Sequence, residues 1–134
     1  MRIYLNFLAV LAFSVPTVMA AHADERAGVA ERTMLQAAVQ QHIERNLIDG
    51  NYLQLDTVTG QIHTLMPFKP HPVILRMGDY FVLCSDFRND KGKTVNVDFY
   101  VAKRGQSYTV FHSAADGDAL LKRLMKEGRV KRLH

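Results

Sequence analysis

The stretch from Asp79 to Val101, DYFVLCSDFRNDKGKTVNVDFYV, decides the fold, because it reads as two alternating strands joined by a turn-rich loop. Phe81, Leu83, Phe87, Val95, Val97, Phe99 and Val101 are apolar and stand at odd positions, while the even positions run polar. Period two with β-branched and aromatic residues is the signature of a strand with one buried face. Setting Phe87 against Val95 aligns Ser85 with Val97, Leu83 with Phe99 and Phe81 with Val101, so both apolar sets share a face. The opposite face then carries Cys84 across from Asp98 and Asp86 across from Asn96. A one-sided sheet of this kind needs a cover.

The cover lies upstream. From about Ala30 to Leu47, Leu35, Val39, Ile43 and Leu47 recur every four residues with Met34 and Ala38 beside them, which predicts an amphipathic helix stopped at Gly50. Tyr52–Asp56 and Gln61–Met66 form a first hairpin around Thr57-Val58-Thr59-Gly60, with Leu55 against Ile62 and Leu53 against Thr64. Pro67, Pro70 and Pro72 lack the N–H a ladder needs and predict a strand break. Val73–Met77 leads into the central hairpin. After it, a tight turn at Arg104-Gly105 sets Val101 against Tyr108 and Phe99 against Val110, which puts His112 on the face of Val97. Asp116 or Asp118 caps a last helix, Asp118–Glu127, with a Leu120, Leu121, Leu124, Met125 stripe, and Arg129–Leu133 adds a short edge strand. The order gives an α+β domain: an N-terminal helix on an antiparallel meander of about four to six strands, then a C-terminal helix.

The chain opens with Met1-Arg2, a mainly apolar run from Ile3 to Phe13, and small residues through Ala23. This is the pattern of a signal peptide cleaved after Ala23, and it predicts an exported protein, periplasmic or secreted, with no membrane span after cleavage. The 134 residues less these 23 leave 111, enough for a single small domain, 24–134, and too few for two. Most of the net charge of +4 sits near the C-terminus, where Lys122, Arg123, Lys126, Arg129, Lys131 and Arg132 face only Asp118 and Glu127. A neutral body with a basic tail does not indicate a nucleic-acid partner. The single cysteine, Cys84, excludes an internal disulfide, so the chain is expected to be a monomer or a weak homodimer.

The chemistry-bearing residues are sparse. Cys84, Asp86 and Asp98 gather on the face away from the apolar set, but their carboxylates raise a thiol pKa rather than activate it. A metal would need a further nitrogen donor, from His63 or His71. Ser85 lacks the flanking glycines of a nucleophile elbow, and no glycine-rich phosphate loop occurs, so neither catalysis nor a cofactor is expected.

The helix followed by Asp56-Thr57-Val58-Thr59-Gly60 resembles the cystatin-like architecture, in which a Gln-x-Val-x-Gly hairpin follows the helix and first strand. Asp56 stands at the glutamine position, and the chain has no Trp for the family's second binding hairpin. The resemblance therefore implies a helix laid across a meander, a layout shared by PepSY-like modules, and singles out Val58 and Thr59 as hairpin-tip contacts. The expected function is a non-enzymatic module that binds a protein or peptide through Val58 and Thr59 or through Cys84, Asp86 and Asp98. The alternative is a carrier or enzyme with a pocket between the first helix and the sheet, using Ser85, Tyr108 and His112.

Overall fold

The computed structural model describes residues 18–115 and 119–133. A helix, α1 (Val18–Arg45), leads into β1 (Leu47–Ile48), β2 (Asn51–Leu55), β3 (Ile62–Met77), β4 (Tyr80–Arg88), β5 (Thr94–Arg104) and β6 (Ser107–Ala115). A second helix, α2 (Ala119–Lys126), and β7 (Lys131–Arg132) complete the order. The strands form an antiparallel meander in chain order from β1 to β6, with β7 paired to the far end of β3. The fold is α+β, as the residue pattern predicts. The expected caps Asp116 and Asp118 lie outside the described residues.

The central hairpin has the expected register: Phe87 faces Val95, Ser85 faces Val97, Leu83 faces Phe99 and Phe81 faces Val101. Leu35, Val39 and Ile43 of α1 pack on that face and are buried with Leu65, Phe81, Leu83, Phe87, Val97, Phe99 and Val101. Burying each such side chain is worth about 1.5–3 kcal/mol, more than helix propensity supplies, so α1 is held by its stripe. Polar ties at its flanks fix the angle: the Tyr108 hydroxyl donates to Glu31 at 2.9 Å, and the Arg32 guanidinium donates to the Leu133 carbonyl at 2.7 Å. On the other face of the sheet, Leu121 and Leu124 of α2 join Leu75, Val82, Tyr100 and Val130 in a second buried cluster. The even positions are therefore covered over part of their length.

Three local expectations are corrected. α1 ends at Arg45 and Leu47 enters β1, because Asp49 and Gly50, at φ of 49° and 79°, form a left-handed two-residue turn that starts a tiny hairpin instead of capping the helix. The proline segment does not break the strand. β3 runs through Pro67, Pro70 and Pro72 and absorbs them as irregularities, with register shifts between Pro67 and Lys69 and between Pro70 and Ile74. Each missing N–H falls where the ladder slips or where β3 has neither β2 nor β7 beside it. Finally, the β5–β6 turn occupies Gly105-Gln106, so Val101 faces Val110, and a bulge at Phe111 then sets Tyr100 against His112 and Phe99 against Ser113. A bulge adds a residue to one strand and exchanges the faces beyond it. Ser113 and Ala115 thereby turn toward α1, while His112 lies against Tyr100, with ring centroids 5.5 Å apart, on the opposite face.

Candidate functional site

The first group of expected site residues sits on the outer face of β4 and β5. Cys84 opposes Asp98 and donates its thiol to Asp98 Oδ1 at 2.9 Å. Burial first, and then this hydrogen bond and the charges of Asp98 and Asp86, push the thiol pKa far up. Asp86 opposes Asn96 and accepts from its amide at 3.3 Å. His71 folds over from β3, with Nε2 2.9 Å from Asp86 Oδ2, and this contact chiefly holds the Asp86 carboxyl below its usual range. Among the described residues no group of three His, Cys, Asp or Glu side chains is arranged to hold a metal ion. Cys84 is half-buried, so access alone would leave it open to reagents. The scarcity of thiolate sets the rate: native Cys84 is expected to alkylate about ten-fold or more slowly at pH 7.5 than in the unfolded chain, and Asp98→Asn is expected to speed it. A native rate matching the unfolded one would show that the Asp98 contact does not hold the proton.

The second group, Val58 and Thr59, lies at the tip of the β2–β3 hairpin. Asp56 Oδ1 accepts from the Val58 and Thr59 N–H groups at 2.8 and 3.1 Å, and its carbonyl accepts from Gly60 N–H at 2.8 Å. These N–H groups, with the Thr59 side chain, hold the Asp56 carboxyl below its usual range. Gly60, at φ of 71°, closes a turn that side-chain-bearing residues enter with strain. The tip is thus fixed by its own backbone, and Val58 stands at its apex with 91% of its surface exposed. It borders an open cleft of about 860 Å³ at this end of the sheet, whose walls include Asp56, His63, Lys93 and His112.

Below the tip, most outward positions of β1, β2 and the first part of β3 are apolar, Asn51 and Thr64 being the polar ones. Leu55 faces Ile62 and Leu53 faces Thr64 across the hairpin. Leu53, Leu55, Ile62, Met66 and Phe68 are all exposed, as is Ile48 on β1. The inward partners are Tyr52 and Leu65, both buried. Arg88 lies over the Phe68 ring at 4.1 Å and edges the patch. Scattered apolar side chains are ordinary on a surface, whereas a contiguous set on one sheet face is not.

Residue patterns do not reveal the polar junction that joins this hairpin to the rest. His42 Nε2 lies 3.2 Å from the Tyr52 hydroxyl, which lies 3.1 Å from Ser113 Oγ. Ser113 Oγ donates to Gln54 Oε1 at 2.9 Å, and Gln54 Nε2 donates to the Ser113 carbonyl at 3.2 Å. The chain of contacts links α1, β2 and β6 and curls the sheet so that its second and sixth strands meet through side chains. The bulge at Phe111 puts Ser113 there, and nothing in the spacing of Tyr108 to Ala115 marks it. By contrast, Ser85, Tyr108 and His112 do not converge. Ser85 is buried, Tyr108 is bonded to Glu31, and His112 is on the other face. The space between the middle of α1 and the sheet is filled by the core, and a small hollow of about 370 Å³ opens at the helix end, beside His42, Tyr52 and Ser113.

Comparison with protein-family models, with curated proteins and with solved structures finds no match. The functional reading rests on this geometry.

Proposed function

We propose that this is an exported, non-enzymatic module, periplasmic or secreted after cleavage behind Ala23, that binds a protein or peptide through its first hairpin. The observation that carries the reading is the outward face of β1 to β3, where Ile48, Leu53, Leu55, Ile62, Met66 and Phe68 are exposed together beneath a rigid tip that presents Val58. An interface centre is built from apolar and aromatic side chains on a preformed backbone, because little ordering then opposes binding. The tip needs no ordering on contact, since Asp56 already fixes it. On this reading the layout is cystatin-like in using the hairpin after the helix as the contact element, and Thr59 flanks the contact. Cys84, Asp86 and Asp98 then belong to the body of the sheet, where each has a partner.

A photoreactive side chain placed at Val58 or at Ile62 of the exported protein tests the proposal, with Lys103, exposed near the opposite end of the sheet, as reference. Irradiation in the producing cells is expected to give one adduct from positions 58 and 62, none from 103, and none from 58 once Leu55→Asp is added. Leu55 is exposed, so that substitution leaves the core intact. The same adducts from all three positions, or none from 58 and 62, would remove the support for a hairpin interface.

A further inference from the structure

We infer that the C-terminal unit, α2 with the segment through β7, is a docking surface for anionic phospholipid headgroups. Leu121 and Leu124 are buried against Leu75, Val82, Tyr100 and Val130, which fixes how α2 is rotated. At 3.6 residues per turn, Lys122, Arg123 and Lys126 then fall on the arc opposite those leucines, turned to solvent. All three are exposed, and so are Arg129, Lys131 and Arg132 beyond the helix. Glu127 is the only acid within residues 119–133, and it lies 3.8 Å from both Arg123 and Arg129. Among the described residues no carboxylate pairs with Lys122, Lys126, Lys131 or Arg132. The helix dipole favours cations in the last turn, which accounts for Arg123 and Lys126 but not for Lys122, Arg129, Lys131 or Arg132.

The neighbours of these cations select the partner. Leu120 and Met125 stand at the two borders between the buried stripe and the basic arc, and each remains nearly half exposed, at 46% and 47%. Cations flanked by apolar side chains match a bilayer surface, where phosphates lie directly above acyl chains. A reader of single-stranded nucleic acid would instead interleave its cations with aromatic rings for base stacking, and residues 119–133 contain no aromatic side chain. Among the described residues no helix is long and apolar enough to cross a membrane, so the association is peripheral. Leu120 shares the open cleft with Leu55 and Val58, whereas Lys122, Lys126 and Lys131 do not line it, so substituting these three lysines leaves the hairpin face as it is.

Co-sedimentation with vesicles tests the inference, using the full chain and its Lys122→Gln/Lys126→Gln/Lys131→Gln variant, on phosphatidylcholine alone and with one part in three of phosphatidylglycerol. All three positions are exposed, and matching thermal melts confirm that the variant folds. The chain is expected to bind the anionic vesicles in preference to the neutral ones, to be released by raised salt, and to lose about a hundred-fold in affinity with the three charges. Binding carried by the apolar run Ile3–Phe13 would be equal for both proteins and on neutral vesicles, and that outcome overturns the proposal. Absence of binding to anionic vesicles overturns it as well. Tighter binding to a DNA duplex than to the vesicles would reassign the surface to a polyanion and likewise overturn it.

Discussion

Phe99→Ala is expected to destabilise the domain by about 3–5 kcal/mol, the range for removing a large aromatic from a core that cannot collapse around the gap. Phe99 has no exposed surface and stands in the middle of β5, opposite Leu83 on one strand and Ser113 on the other. Its ring lies 5.9 Å from those of His42 and Tyr52 and 6.2 Å from that of Phe87, in edge-on or tilted contact. Truncation therefore opens a cavity where α1, β2, β4 and β5 meet. A domain of this size has a total stability on the order of 5–15 kcal/mol, so the loss is a large fraction of it. Lys93→Ala is the reference. Lys93 is exposed, and its links to Asn89 run through its own backbone, so the substitution should cost less than about 0.5 kcal/mol. Urea unfolding of the three proteins checks the pair. Equal midpoints would mean that the buried face of the central hairpin is not the one described.

The register and inward face of the central hairpin were legible because its two signals agree, whereas Val82 and Tyr100, at even positions read as polar, are buried in the second cluster beneath α2. Period two sets the faces, aromatic and β-branched residues mark the strands, and the short loop from Asn89 to Lys93 selects the register with Phe87 against Val95 among those that keep both apolar sets together. The first hairpin shows where the same logic stops. Leu53 and Leu55 carry the apolar parity of β2, yet they face outward, and Tyr52 and Leu65 are the buried pair. Alternation identifies two faces but not which of them meets the core, and here the surplus apolar face is the candidate interface. β6 illustrates a second limit. Tyr108 and Val110 pack toward α1, and so do Ser113 and Ala115, which a strict alternation forbids. The extra residue, Phe111, lies 5.6 Å from Tyr80 and 6.4 Å from Tyr100 on the opposite face, so tertiary ring packing holds the bulge and no local turn residue announces it. The polar junction depends on that bulge and was illegible for the same reason. The upward direction of the thiol pKa, in contrast, was legible in the Cys84–Asp98 and Asp86–Asn96 pairing, although burial, its largest cause, was not.

The second large effect concerns Tyr52, whose ring and hydroxyl do different work. Its ring is buried among His42, Phe87 and Phe99, at centroid distances of 6.1, 5.5 and 5.9 Å, so Tyr52→Ala should cost about 3–5 kcal/mol through the cavity. Tyr52→Phe keeps the ring and deletes the bridge between His42 and Ser113. That leaves two part-buried polar groups short of a partner, and the expected cost is about 1–3 kcal/mol. His42 gives the junction a pH dependence. Burial holds its pKa below the ordinary value of 6.5, so the folded state disfavours the imidazolium. Asn46 Nδ2 donates to the His42 carbonyl at 2.7 Å and sits 3.5 Å from Nδ1, so a protonated Nδ1 would meet another N–H. His112 is the second imidazole beside the same hollow, and no carboxylate is among the described residues that line it. The sign follows: the unfolded chain takes up the His42 proton first, so this contribution to stability is complete above about pH 6.5 and is lost as the pH falls below it. Urea midpoints between pH 8 and pH 5 should therefore decline for the wild type and decline less for His42→Gln, a neutral side chain that still offers Tyr52 a hydrogen bond. At pH 8, a Tyr52→Phe protein within about 0.5 kcal/mol of wild type would show that the hydroxyl does not hold β2 to β6. The curl of the sheet would then rest on ring packing alone, while a pH decline that persists undiminished in His42→Gln would have to come from a group outside the junction.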